Sequence, residues 1–293
     1  MTSPTEQLQG ILQTEQLDTL LYRGKTPLEN TLPYVYGGQV MAQSLNAAMR
    51  TVPEDRMMHS MHAYFLRSGD VKHPIIFEVD PIRDGGSFTT RHVLAKQHDK
   101  AIFNMSVSFK ISEQGLEHSY PIPEVPAPET LQDDVARYKR AQEENPELRR
   151  PLSLPNQPDA FQCFDIRTVS DFPSMSVERQ SSTQGFWFKL KYKLEADVSM
   201  HQTFLAFISD LRLLRPSYLA HGFSDRDYSN KIVVASLDHS LWIHNQFDIN
   251  DWHYYHTNSP VTSRGCGLSF GQFYSRSGKL VASSTQESLL RLK

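Results

Sequence analysis

Apolar residues recur at helical spacing in Leu8-Ile11-Leu12 and again at Leu20-Leu21, which predicts a first helix across this stretch. A second helix fits residues 38–50, where Val40, Ser44, Ala47 and Ala48 leave a small-residue face that a sheet can approach closely. Alternation of apolar and polar positions then takes over. Residues 59–66, 75–79, 91–96 and 102–110 read as strands, the last two joined by a hairpin at His98-Asp99-Lys100. The same order returns later. Residues 186–192 are a strand, and 200–214 a helix with Met200, Phe204, Phe207, Ile208, Leu211 and Leu214 on one face. Residues 232–244 read as one long strand and 252–258 as another, with a closing hairpin of 268–274 and 279–289 around Ser277-Gly278.

The two runs line up with little identity but constant spacing. His59-Ser60 matches His239-Ser240 at an offset of 180, and Lys100 matches Lys279 at 179. The shared order predicts a duplicated unit, a helix packed on an antiparallel sheet, class α+β. Between the runs, residues 111–173 hold nine of the 17 prolines and a charged stretch at 133–150. The expected organisation is a first unit over 6–120, a Pro-rich and charged linker over 121–173 carrying one polar surface helix, and a second unit over 174–291.

Composition narrows the function. The 293 residues carry a net charge of −3, so no overall basic field holds a nucleic-acid backbone or an anionic membrane. Two cysteines, Cys163 and Cys266, supply neither a disulfide scaffold nor a four-thiolate metal site. The apolar runs are too short to span a bilayer, and the polar start lacks the pattern of a signal peptide. The ending Arg291-Leu292-Lys293 is not the peroxisomal Ser-Lys-Leu. A soluble cytoplasmic protein is expected.

Several motifs fail on inspection. Gly267-Leu268-Ser269-Phe270-Gly271 fits the nucleophile elbow, but a hairpin follows it where a helix is required, and neither Asp nor His comes after Ser269. Arg23-Gly24-Lys25-Thr26 lacks the first glycine of a phosphate loop. The histidine pairs His59/His62 and His253/His256 are oddly spaced on strands, which sends their side chains to opposite faces, so no metal is expected.

Four positions remain as candidate chemistry. Asp210 borders the apolar face of the 200–214 helix, where partial desolvation would raise its pKa and sharpen it as a base; an acid tethering the next loop fits equally well. Ser236 sits inside the apolar run from Ile232 to Leu237, and its hydroxyl needs a partner, in a site or simply in backbone. His239, three residues on, points to the opposite face of a regular strand. Gln286 lies at the polar end of the last strand, where solvent exposure is the plain alternative. The turn Tyr36-Gly37-Gly38-Gln39 opens a helix with approachable N–H groups that suit a negatively charged oxygen, or only a tight turn.

The chain resembles the acyl-CoA thioesterase II family. The resemblance rests on Tyr36-Gly37-Gly38-Gln39-Val40, His59-Ser60-Met61-His62-Ala63-Tyr64-Phe65-Leu66-Arg67, Arg83-Asp84-Gly85-Gly86-Ser87-Phe88, Ser209-Asp210-Leu211, Leu237-Asp238-His239-Ser240-Leu241-Trp242 and Ser284-Thr285-Gln286-Glu287. With their neighbours these span about residues 6–120 and 160–291. The resemblance implies a double hotdog, two fused units each with a curved antiparallel sheet round a helix. It also implies hydrolysis of fatty acyl-CoA to fatty acid and CoA, without cofactor or metal, in a homo-oligomer (dimer or tetramer). The family's water-orienting Asp, hydroxyl residue and Gln fall on Asp210, Ser236 and Gln286. Ser236 stands where many bacterial members carry Thr. The expected mechanism has Asp210 as base, Ser236 and Gln286 holding the water, and the N–H of Gly38 receiving the oxyanion. A non-catalytic acyl-ligand or partner-binding protein of the same fold, and a hotdog enoyl-CoA hydratase, are the alternatives.

Overall fold

The computed structural model describes residues 2–25, 34–144, 162–170, 179–227 and 230–293. Residues 145–161 and 171–173 of the expected linker, and 174–178 at the start of the expected second unit, lie outside the described residues. In chain order the helices are α1 (Pro4–Leu12), α2 (Gly37–Met49), α3 (Asp134–Glu144), α4 (Val198–Ser209) and α5 (Arg215–Leu219). The first six strands are β1 (Thr14–Asp18), β2 (Leu21–Gly24), β3 (Met57–Phe65), β4 (Ile76–Asp84), β5 (Phe88–Gln97) and β6 (Lys100–Lys110). Then come β7 (Phe164–Thr168), β8 (Thr183–Leu190), β9 (Ile232–Ser236), β10 (Asp238–Ile243), β11 (His253–Ser263), β12 (Cys266–Ser275) and β13 (Leu280–Leu292).

All thirteen strands among the described residues join one antiparallel sheet, in the order β1-β2-β4-β5-β6-β3-β10-β13-β12-β11-β8-β7, with β9 paired to β13. The halves meet edge to edge where β3 pairs with β10, and there Met61 faces Leu241 across the strands. Those two residues are also counterparts under the 180-residue offset, so the pseudo-twofold axis of the duplication passes through this pair. Both are fully buried.

Inside the curved sheet α2 and α4 lie against each other. Every residue from Gly38 to Ala48 and from Met200 to Ser209 is buried. A helix apolar all round is a core helix, and each fully buried Phe, Leu or Ile on α4 contributes about 1.5–3 kcal/mol. Two polar side chains on α2 bond internally: Gln43 donates to the Ile11 carbonyl at 2.7 Å, and Asn46 Oδ1 accepts from the N–H and hydroxyl of Thr14 at 2.9 Å each.

Four expectations need correction. The first helix stops at Leu12, and Leu21 opens β2. The helix expected over 200–214 stops at Ser209, so Leu211 and Leu214 lie beyond it. Its last carbonyls are taken by tyrosines: Tyr36 O–H donates to Phe207 O at 3.1 Å, and Tyr255 O–H to Ser209 O at 2.7 Å. Arg212 then turns the chain with φ of 65°. The strand expected over 232–244 is interrupted at Leu237. Four residues separate Ser236 from Ser240, whereas three separate their partners Ser288 and Thr285, so the chain carries one extra residue there. Finally, the linker holds more than the expected polar helix, which is α3: its strand β7 extends the sheet beside β8.

Candidate active site

The site forms where the end of α4 meets the start of α2. Tyr36, the residue preceding α2, gives the helix no side-chain cap. The vacancy is filled from the other half of the molecule. Asp210, just past α4, accepts the Gly38 N–H through Oδ2 at 3.0 Å. It thus does for α2 what an N-cap side chain ordinarily does from within the chain. The approach requires glycine twice. A Cβ on Gly37 would lie 2.8 Å from Asp210 Oδ2, and one on Gly38 would run into the Phe207 carbonyl oxygen.

The Gly38 N–H, expected to be open to an oxyanion, is therefore occupied by the carboxylate. The reason is geometric: the same exposed donor that suits a substrate oxygen also suits a nearby acid, and Asp210 is held closer.

Asp210 is buried, and its second oxygen, Oδ1, has no hydrogen-bond partner among the described residues. Burial pushes its pKa up to about 6, opposed by the Gly38 N–H and by the nearby Gln286 and Ser236 side chains. The N-terminal end of α2 favours the carboxylate, while the C-terminal end of its own helix disfavours it.

Gln286 enters from β13 and is fully buried. Its Nε2 donates to Ser236 Oγ at 2.5 Å, and its Oε1 meets Nδ1 of His239 at 2.8 Å. Ser236 and His239 thus reach the same side of the sheet, contrary to the expectation from strict alternation. The extra residue between them shifts the parity, so that Val234, Ser236, His239 and Leu241 all turn inward or partly inward. Burial lowers the His239 pKa to about 4, so its ring is neutral at pH 7. The structure thus brings Asp210, Ser236 and Gln286 together within one buried cluster, 26 to 76 residues apart in sequence. Sequence reasoning set His239 aside; its place in the Asp-His-Ser run past the apolar strand was the signal available.

Ser269, the centre of the rejected elbow motif, lies mid-strand in β12 opposite Gln286. Among the described residues one group has metal-ligand atoms close together, Asp70, His73 and His98. Asp70 accepts from Nδ1 of His73 at 2.8 Å, and both imidazoles are exposed at the surface. No residue of the Asp210 cluster belongs to it. No helix among the described residues is long and apolar enough to cross a membrane.

Comparison with known proteins identifies the family and the fold. Residues 167–289 match the family model for acyl-CoA thioesterase, and 28–110 that for the acyl-CoA thioesterase N-terminal domain. The chain is 35% identical over 283 residues to acyl-CoA thioesterase 2 of Haemophilus influenzae, covering 96% of each. It is 36% identical to acyl-coenzyme A thioesterase 8 of Mus musculus over 97% of this chain and 88% of that one. The crystal structure of acyl-CoA thioesterase II TesB2 from Mycobacterium marinum superposes with a TM-score of 0.78 at 34% identity, covering 98% of both chains. At 17% identity, a hot dog fold protein from Alicyclobacillus acidocaldarius still superposes at 0.76 over 97% of this chain, which confirms the double hotdog architecture.

Proposed function

The chain belongs to the acyl-CoA thioesterase family and is an acyl-CoA thioester hydrolase, and from that premise we propose that Asp210 activates the hydrolytic water, with Ser236 and Gln286 holding it. The observation that carries this reading is a buried carboxylate with one oxygen anchored on Gly38 and the other without a partner among the described residues, beside a bonded Gln286–Ser236 pair. A base needs a free lone pair directed at the proton it takes, and Oδ1 has one.

In the proposed reaction the water oxygen bonds to the thioester carbonyl carbon while its proton passes to Asp210. The positive end of α2 favours the negative charge that develops on the carbonyl oxygen. Collapse of the tetrahedral intermediate breaks the C–S bond. The CoA thiolate is a good leaving group and takes the proton back from Asp210, leaving free acid and thiol. The acyl chain lies in an apolar slot between helix and sheet. In this reading Ser236 positions water and is not the nucleophile: a nucleophilic serine is ordinarily activated by an imidazole, and the nearby imidazole of His239 is bonded to Gln286 and not to Ser236. The reading extends to a cytoplasmic homo-oligomer, a dimer or tetramer, which sedimentation of the purified chain would test.

The experiment is release of free CoA thiol from a panel of acyl-CoA substrates by the native chain and by Asp210→Asn. Turnover by the native chain with its loss in the folded variant supports the assignment. Equal turnover in both would remove Asp210 from the chemistry.

A further inference from the structure

Of the polar groups packed round Gln286, His239 is used by neither the expected mechanism nor the core. It is completely buried in β10 and has polar partners on both sides. Nε2 lies 3.0 Å from the hydroxyl of Ser209, the last residue of α4 and the neighbour of Asp210. Nδ1 lies 2.8 Å from Oε1 of Gln286. The imidazole therefore bridges the helix end that carries the acid and the strand that carries the amide.

We propose that His239 is a positioning residue for thioester hydrolysis, which fixes the orientation of the Gln286 amide and thereby makes Ser236 a hydrogen-bond donor towards the water.

A neutral imidazole has one N–H and one bare nitrogen. Gln286 presents its carbonyl oxygen to Nδ1, so Nδ1 carries the proton and Nε2 is bare. The Ser209 hydroxyl, which lies 2.9 Å from the Ala206 carbonyl and 3.0 Å from Nε2, must then turn its single proton from that carbonyl to Nε2. Gln286 spends an amide N–H on Ser236 Oγ, which is thereby made an acceptor on that side. The Ser236 proton is left pointing away from Gln286, free for the water or for Oδ1 of Asp210. Every bond in the chain Ser209, His239, Gln286, Ser236 runs in one direction. Turning the Gln286 amide over would reverse it and point the Ser236 proton back at Gln286. Two choices distinguish the directions, which ring nitrogen carries the proton and whether the Ser209 hydroxyl donates to Nε2 or to the Ala206 carbonyl, and burial keeps the ring from gaining a second proton near neutrality.

The inference rests on the reading of Gln286 and Ser236 as the partners of the water. Four kinetic variants and one spectroscopic measurement test it. His239→Ala is expected to lower kcat about tenfold with KM unchanged, since a misdirected water costs rate and not substrate binding. His239→Asn, whose amide nitrogen can stand in for Nδ1, is expected to recover most of that loss. In a Gln286→Ala background the His239→Ala change should have no further effect on kcat, because its route is gone. Additive losses, or an Asn variant no better than Ala, would overturn the proposal. Normal turnover of Gln286→Ala alone would instead sink the underlying reading of the site. Nitrogen-15 spectra of labelled histidine in the native protein need no variant to fold. They should show His239 neutral with the proton on Nδ1, and a proton on Nε2 would refute the direction assigned here.

Discussion

The two halves of the molecule share a frame and differ in chemistry at the same structural position, the residue that follows the central helix. After α4 it is Asp210, buried and bonded to the start of α2. After α2 it is Arg50, exposed, donating to the Thr14 carbonyl and lying over the Tyr22 ring. The strand irregularity is duplicated too. Across β3 and β6 one extra residue occurs between Met58 and Ser60, as one occurs between Ser236 and Ser240. In the first half His59 itself takes part in the irregularity and bonds Ser108. In the second half the irregularity comes earlier, and His239 lies past it, facing Gln286. By register the counterpart of Gln286 is Phe109, a core residue. The difference teaches that the fold alone does not make a site. It provides a helix end facing a helix start, and only an uncapped, glycine-built start leaves room for an acid.

The largest expected break is at the acid. Asp210→Asn keeps a carbonyl oxygen for the Gly38 N–H but cannot accept a proton, so turnover should fall about a hundredfold or more. Thiol release at saturating acyl-CoA, with circular dichroism to verify the fold, decides it. A folded Asn variant with near-native turnover would make Asp210 a cap for α2 and nothing else.

Ser236 ranks next. Removing its hydroxyl misplaces the water without removing the base, so Ser236→Ala should cost roughly tenfold. Ser236→Thr keeps the hydroxyl and should stay active. Intact-mass measurements during turnover should find no acylated protein, and an adduct on Ser236 would replace the water mechanism with a covalent one.

How much of this could be read along the chain depends on whether the signal is periodic. The paired helices and strands, the duplication and the offset of 180 all follow from alternation and spacing, and the Met61–Leu241 pairing agrees with that offset. The misreadings fall where a single event interrupts a period. The run from Ile232 to His244 is apolar enough for one strand, and nothing in its composition marks the extra residue that turns His239 inward. The apolar spacing through Leu214 continues past the end of α4, because distant tyrosines and the left-handed turn at Arg212 end that helix. Asp210, Ser236 and Gln286 were found through family resemblance. The contact between Asp210 and Gly38 spans 172 residues and has no local signal.

Acidity offers a third test. With Asp210 titrating at about 6, the ionised base is lost as pH falls through that value, so kcat/KM should drop tenfold per unit below it. Stability runs the other way. The folded pKa lies above the unfolded one, so the folded state binds more protons between about pH 4 and 6, and the acid's contribution weakens the fold as pH rises through this range. The penalty is at most about 3 kcal/mol at neutral pH. Asp210→Asn should therefore melt higher than the native chain at pH 8, with the gap closing towards pH 4. His239, its pKa lowered to about 4, contributes the opposite slope, stability that is lost as pH falls from about 6.5. It is present in both proteins and cancels in the comparison. A gap that does not change with pH would mean that Asp210 is not held neutral by burial.

The smallest expected effect is a null result with a definite cause. If the halves were chemically equivalent, moving the acid to the first half would restore activity, so Arg50→Asp is placed in the Asp210→Asn background. No recovery is expected. The start of α4, which a carboxylate at position 50 would need to reach, is already capped by Asp197, whose side chain accepts from the Met200 N–H at 3.0 Å. That start also lacks the two glycines that admit Asp210 to α2. Phe109 offers no hydrogen bond where Gln286 offers two. The substitution also removes the Arg50 contacts with Thr14 and Tyr22, at a cost of about 1 kcal/mol or somewhat more. Turnover should stay at the level of Asp210→Asn alone, with a slightly lower melting temperature. Any rise in thiol release above that level would show that the first half retains a usable site, and the contrast drawn between the two helix ends would fail.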